Sequence, residues 1–399
     1  MKLNYKSIEW PVSQTPIKIS TIKENEIVEI ADLGRENPDI IKLWIGESDL
    51  KTPKFICDAT TEALREGHTR YTFSRGIPKL HDALKRYHKR HWGVNIEANR
   101  FSITTGGVGA IMQAFQAILD NEDEVIIPSP VWPNVLEVVR INGGKLKHVQ
   151  FDFDLNSGFS LDLNKIISAI TPKTRAIYIN SPGNPTGWIM PRKDMVQLLA
   201  FARERGLWLI SDEVYNHFTY DRPIAASFLE ISEPNDRLIV ANTFSKNWCM
   251  TGWRIGWLIF PKGMEVIFDN LGQYNTTSVA TFLQHGAVKA LDAGDQFVKD
   301  FVKRSKIGRD IICSALERAP KVNIVPPNGT FYAMFSVQGM DNGVEMAKKI
   351  LHEVQVGVAP GSAFGTGAES YLRLCFGVDH ALLKTAADRL SSFFENRDL

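Results

Sequence analysis

The stretch AIYINSPGNPTGWIMPRKDMVQLLAFARERGLWLISDEVY, from Ala176 to Tyr215, decides the fold. Ala176-Ile177-Tyr178-Ile179 is a short apolar run that reads as a buried strand, and Asn180 to Gly187 is a turn dense in Pro, Gly and Asn. Pro191 opens a helix and Gly206 closes it. Leu207-Trp208-Leu209-Ile210 is a second apolar strand that runs straight into Ser211-Asp212-Glu213-Val214-Tyr215. Further on, Leu238-Ile239-Val240-Ala241 reads as a third strand and leads to Thr243 and Lys246. Strands alternating with helices predict an α/β sheet, and ligands of such sheets bind beyond the carboxyl ends of the strands. Asn184, Asp212, Tyr215 and Lys246 are therefore expected at one edge.

Lys246 lies in Thr243-Phe244-Ser245-Lys246-Asn247-Trp248-Cys249-Met250-Thr251-Gly252-Trp253-Arg254, with hydroxyls one and three residues before it and a guanidinium eight after. A lysine amine condenses with a carbonyl, and Arg254 with the Thr243 and Ser245 hydroxyls can hold a phosphate dianion nearby. The set suits a phosphorylated aldehyde. Upstream, Thr104-Thr105-Gly106-Gly107-Val108-Gly109 places small residues ahead of an apolar periodic run reaching Leu119, where helix N–H groups can meet a phosphate. Taken alone, that turn is as well read as a tight connection. Its spacing is not Gly-x-Gly-x-x-Gly, and a dinucleotide site would leave Lys246, Asp212 and Arg254 without a role. Arg373, in Tyr371-Leu372-Arg373-Leu374-Cys375-Phe376, is a guanidinium in an apolar strand-like run; it either reaches solvent at a sheet edge or meets a planar anion such as a carboxylate.

The ordered set Gly46, Tyr71, Gly106-Gly107, Trp132, Asn184, Asp212, Tyr215, Lys246, Arg254 and Arg373 resembles the class I/II aminotransferases among the fold type I pyridoxal phosphate enzymes, nearest to the bacterial aspartate and aromatic aminotransferase group. The resemblance covers almost the whole chain. It implies pyridoxal 5'-phosphate as cofactor, a mostly parallel doubly wound sheet, and amino-group transfer between an L-amino acid and a 2-oxo acid. It also implies roles. Lys246 is the attachment point and later the base, Asp212 pairs with the pyridine nitrogen, and Tyr215 and Asn184 bond the ring's phenolate oxygen. Trp132 stacks on the ring. Gly106, Gly107, Val108, Thr243, Ser245 and Arg254 hold the phosphate, and Tyr71 reaches the phosphate of a neighbouring subunit, which makes the expected assembly a homodimer with shared sites. Gly46, Asn184 and Arg373 receive the substrate, Arg373 through the α-carboxylate. No metal is implied. In the bacterial aspartate group a lysine follows the Gly-Gly pair and meets the distal carboxylate; here that place is Val108, which slightly favours neutral or aromatic amino acids, with an aspartate-type aminotransferase as the alternative where another residue supplies the charge. Elimination by a related lyase uses the same ring chemistry, but cystathionine lyases carry His before the Asn-Pro turn where this chain has Gly183. A third reading, a cofactor-binding regulator, calls for a DNA-binding module ahead of the domain, for which little chain precedes Lys51.

Composition agrees. The 399 residues suggest two domains, and 44% hydrophobic content is ample to build their cores. A net charge of +1 and the lack of like-charge blocks argue against nucleic acid or an anionic membrane surface as partner. No run approaches the ~18 apolar residues of a membrane span, and Met1 to Lys6 are followed by no apolar core, so a cytoplasmic protein is expected. Cys57, Cys249, Cys313 and Cys375 are scattered without metal-ligand spacing and read as reduced thiols. The alternation from 51 to 290 predicts a large cofactor-binding domain. Residues 291–399, with helices over 301–319 and 381–394 and short strands near Phe331 and Tyr371, are expected to form a small α+β domain with residues 1–50.

Overall fold

The computed structural model describes residue 22 and residues 25–395. The segment from Ala176 to Tyr215 lies at the centre of a seven-stranded sheet. Its strands are β1 (Phe101–Thr104), β2 (Glu124–Ser129), β3 (Lys145–Gln150), β4 (Thr174–Asn180), β5 (Trp208–Asp212), β6 (Leu238–Thr243) and β7 (Gly256–Ile259), in the spatial order β1-β7-β6-β5-β4-β2-β3. Only β7 runs antiparallel to its neighbours. Both faces are covered, which is why β4 reads as a continuous apolar run rather than an alternating one. Ile177 and Ile179 share a core with Leu209, Val240 and Trp257, while Ala176 and Tyr178 face the other way, with Ile210, Ile239 and Leu258. The connecting helix spans Arg192–Arg205 and buries Met195, Leu198, Leu199 and Ala202. Pro191 precedes it, and Gly206, in the left-handed region at φ 65°, ends it by donating its N–H to the Ala202 and Arg203 carbonyls.

A second sheet of four antiparallel strands, β8 (Val322–Ile324), β9 (Tyr332–Val337), β10 (Ala359–Pro360) and β11 (Tyr371–Cys375), has the order β8-β9-β11-β10. Helices Asp295–Glu317, Gly343–Val354 and His380–Glu395 accompany it. The first begins six residues before the predicted start at Phe301, because Asp295 in its first turn suits the positive end of the helix dipole and Val298 continues the buried stripe of Phe301, Ser305 and Ile312. The chain ahead of the large sheet returns to this second sheet. Ile41–Lys42 pairs in parallel with Val356–Gly357, and Ile30, Leu43 and Trp44 share a core with Phe335, Leu372 and Leu374. Gly357 permits this: a Cβ there would stand 1.7 Å from the Trp44 ring. Residues 1–21, assigned by the sequence reading to the same small domain and containing Met1 to Lys6, lie outside the described residues. Among the described residues no helix is long and apolar enough to cross a membrane.

Candidate active site

Adjacent parallel strands put their carboxyl ends together. Asn180 lies opposite Asp212 in the β4–β5 register, Asp212 lies opposite Ala241 in the β5–β6 register, and β6 ends two residues later at Thr243. Beyond these ends opens a cavity of ≈ 430 Å³. Its lining includes Gly46, Gly107, Val108, Trp132, Asn184, Asp212, Tyr215, Thr243, Ser245, Lys246, Arg254 and Arg373. Of the residues singled out in the sequence, Gly106 lies just behind the wall, and Tyr71 lies elsewhere, 91% exposed.

One end of the cavity is built to take an anion. Helix Gly106–Ile118 starts there with no side-chain cap on its first N–H groups, leaving donors that a phosphate can satisfy. The Thr243 hydroxyl caps the short helix Phe244–Asn247 by accepting from the Ser245 N–H at 3.2 Å, and it donates to Ser245 Oγ at 3.0 Å. Antiparallel β7 then brings Arg254, in the left-handed region at φ 52°, against Gly106. A Cβ on Gly106 would lie 2.6 Å from the Arg254 guanidinium, and Gly106 itself has φ 73°. Only glycine meets both demands. Among the described residues no carboxylate pairs with Arg254, whose hydrogen bond goes to the Thr251 carbonyl.

The floor and mouth carry the titratable groups. Lys246 Nζ donates to the Gly46 carbonyl at 2.8 Å and lies 5.7 Å from the centre of the Tyr215 ring. Burial brings its amine down to about 8, and the Arg373 and Arg254 charges add to the fall while Cys375 and Glu47 oppose it. Asp212 is buried at the end of β5, and burial pushes its carboxyl up to about 6 against the opposing hydrogen bonds from Tyr178 and the Val214 N–H and the attraction of Lys246. The Tyr215 and Tyr332 hydroxyls are 2.8 Å apart, and Tyr332 also donates to the Gly46 carbonyl at 3.1 Å. Burial, then the neighbouring Tyr332, holds the Tyr215 phenol well above its ordinary range. Gly46 is needed for this crossing, since a Cβ there would meet Tyr332 Oη at 2.6 Å.

Arg373 is 3% exposed and has no carboxylate partner among the described residues. Its guanidinium sits 4.5 Å from the Tyr332 ring centre and 5.0 Å from that of Phe364, so the planar group is held between two aromatic faces. Nη1 donates to Asn184 Oδ1 at 3.3 Å, Nη2 donates to the Trp44 carbonyl, and Nε is buried without a partner. A buried, unneutralised guanidinium with a spare donor, opening on a cavity, is suited to an incoming carboxylate.

Among the lining residues that escaped the sequence reading are Tyr332, Phe364, Asn180, and Val28 on helix Glu26–Gly34. Tyr332 becomes visible only through strand pairing, because β9 sets it opposite Cys375, two residues from Arg373 on the same face. Val28 looks like an ordinary amphipathic position; nothing local says that this helix edges the cavity.

The donor set fits a phosphorylated pyridine aldehyde: unfilled N–H groups, hydroxyls and a guanidinium at one end, a buried carboxylate for a protonated ring nitrogen, and a low-pKa amine between them. Comparison with known proteins points the same way. The family described as aminotransferase class I and II matches residues 38–390. A probable aspartate aminotransferase of Methanocaldococcus jannaschii is 34% identical over 384 residues, 95% of this chain and 99% of that protein. An aromatic-amino-acid aminotransferase of Thermococcus litoralis is 33% identical, covering 96% of this chain and 98% of its own length. The crystal structure of aspartate aminotransferase from Thermotoga maritima superimposes with a TM-score of 0.87 at 32% identity, covering 95% of this chain and 99% of that one. The chain therefore belongs to the class I and II aminotransferases, fold type I enzymes that use pyridoxal phosphate to move an amino group between amino acids and 2-oxo acids.

Proposed function

We propose that the amino donor is a neutral or aromatic L-amino acid. One observation carries this: the cations lining the cavity, among the described residues, are Lys246, Arg254 and Arg373, and each has a use that any substrate of the family requires. Among the described residues of this chain no fourth cation lines the cavity, and Ile27, Val28, Ile45, Val108 and Phe364 offer apolar surface instead. Arg373 binds the substrate α-carboxylate through its guanidinium and so orients the Cα–H bond. Pyridoxal phosphate, when bound, supplies an electrophilic carbonyl carbon and a protonated ring that accepts the electron pair left at Cα. Lys246 Nζ, once free, takes the Cα proton; an amine near 8 is well matched to that work. Asp212 would hold the proton on the cofactor's ring nitrogen, Tyr215 and Asn184 would bond its ring oxygen, and Trp132 would pack against the ring. Gly106, Gly107, Val108, Thr243, Ser245 and Arg254 grip the phosphate. Gly46 presents its carbonyl to Lys246 Nζ at the substrate side.

The division into a large domain, 51–290, and a small one, 1–50 with 291–399, belongs to the same reading, as does a cytoplasmic location, which four unpaired cysteines support. So does a homodimer. Tyr71, Phe73 and Tyr274 are 91%, 64% and 85% exposed. The 71–75 loop and the helix carrying Tyr274 are joined by Ser74 and Arg75 to Asp269, so two neighbouring segments carry exposed rings that a second copy can cover. Mixing Tyr71→Phe with Lys246→Ala chains restores activity if Tyr71 serves the partner's site, because one site of the mixed dimer then carries neither change. The substrate reading is tested by the relative kcat/KM for aspartate, glutamate, phenylalanine, leucine and alanine. A preference for aspartate or glutamate overturns it.

A further inference from the structure

Tyr178 stands third in the apolar run of β4 and is fully buried, yet it ends in a hydroxyl. A buried hydroxyl needs a partner, and this one donates to Asp212 Oδ2 at 2.7 Å. The register explains the contact. Tyr178 lies opposite Ile210 and Asn180 opposite Asp212, so residues 178 and 212 are diagonal neighbours on one face, a span that an aromatic side chain can cross. Packing against Phe115, whose ring centre is 6.4 Å away, asks only for a ring. Phenylalanine would supply that. What the tyrosine adds is the hydrogen bond to Asp212.

We propose that Tyr178 is a positioning residue for the transamination site, whose hydroxyl fixes the Asp212 carboxylate in its rotamer and keeps it ionised for the cofactor's ring nitrogen. This rests on Asp212 being the ring partner. Among the described residues, Tyr178 is the one side-chain donor to the carboxylate. Oδ1 accepts the Val214 N–H at 3.3 Å, and Asn180 Nδ2 donates to the main-chain oxygen of Asp212, not to its carboxylate. Lys246 is the cation whose field reaches it. Glu213 turns away toward Ser211 Oγ and the Phe228 N–H. Burial and then the Asp212 charge push the Tyr178 phenol well above its ordinary range, so it stays protonated and donates to the ionised carboxylate. Each carboxylate oxygen has two acceptor sites, so with one filled on each by Tyr178 and Val214 there is room for a ring N–H. Burial alone would favour the neutral acid; donors to the charged form oppose it.

The test uses Tyr178→Phe, the same ring without the hydroxyl, and a second protein with 3-fluorotyrosine at 178, the same shape with a stronger donor. In cofactor-free protein, carbon NMR of labelled aspartate follows the Asp212 titration. Its midpoint is expected to rise by about one pH unit in Tyr178→Phe and to fall with fluorotyrosine. In the loaded protein, nitrogen NMR of labelled cofactor should show the shared proton drawn from the ring toward the more basic carboxylate in Tyr178→Phe, with kcat lowered by up to about tenfold and KM for the amino acid little changed. A purely structural role would lower the melting temperature and leave both NMR readouts in place, which overturns the proposal. If Tyr178→Phe does not fold, the fluorotyrosine protein decides alone, and an unmoved Asp212 titration there refutes the idea. Asp212→Asn separates the two readings. If it leaves the ring nitrogen protonated, the ring-partner role fails; if it removes that proton while Tyr178→Phe changes nothing, only the role of Tyr178 fails.

Discussion

Gly106→Ala should weaken cofactor binding more than it weakens the fold. The added Cβ would stand 2.6 Å from Arg254 Nη2 and 3.0 Å from its Cζ, so the guanidinium must retreat by several tenths of an ångström from the place where it faces the start of helix Gly106–Ile118. An alanine at φ 73° also costs about 1 kcal/mol of conformational strain, borne by the free and the loaded protein alike. Losing a well-aligned hydrogen bond to a charged group costs about 1.5–3 kcal/mol, which corresponds to roughly ten- to a hundredfold in Kd. The assay is titration of the dialysed, cofactor-free protein with pyridoxal phosphate, followed by absorbance, beside a thermal melt of the same preparation. Gly93→Ala is the control. It has φ 71° at the end of helix Pro78–Trp92, and a Cβ there meets nothing within 4 Å, so it should lose similar stability and no affinity. Equal affinity in the two variants would refute the assignment of Arg254 to the phosphate.

Capture of pyridoxal phosphate by the cofactor-free protein should speed up with pH and level off above about pH 8, because the unprotonated Lys246 amine is the nucleophile and burial brings it down from 10.5 to about 8; a rate still climbing at pH 10 would mark an ordinary surface amine, and Lys246→Ala should capture none. Asp212→Asn should keep the cofactor but lose several orders of magnitude in turnover, since a neutral amide cannot hold the ring proton; wild-type turnover with a protonated ring would contradict it. Val108→Lys should raise relative kcat/KM for aspartate or glutamate over aromatic substrates, by up to on the order of a hundredfold for a well-placed charge. An unchanged ratio in a fully loaded enzyme would show that the 108 side chain does not face substrate.

Local chemistry accounts for most of what could be read without coordinates. The helix bounds at Pro191 and Gly206 are set by ring closure at one end and a left-handed residue at the other, both properties of a single residue. The strand runs ending at Asp212 and Thr243 are apolar because two helix layers cover them, so the polar residue after each run marks the sheet edge. From that, the position of Asn184, Asp212, Tyr215 and Lys246 follows for any parallel α/β sheet. Periodicity could not do the same for Tyr178, which has the outward form of one more apolar position in a strand.

What the chain alone determined was therefore the set of reactive groups and the edge at which they emerge, because strand ends, caps and glycine turns are written in short-range sequence. Tertiary structure decided how those groups are tuned. The guanidinium of Arg373 packed on Tyr332 and Phe364, the meeting of Tyr332 with Gly46, and the bond from Tyr178 to Asp212 each join residues brought together by strand pairing or by the return of the N-terminal segment to the second sheet. Burial, which lowers the Lys246 amine and raises the Asp212 carboxyl, is a property of everything packed around a residue, and no short stretch of sequence contains it.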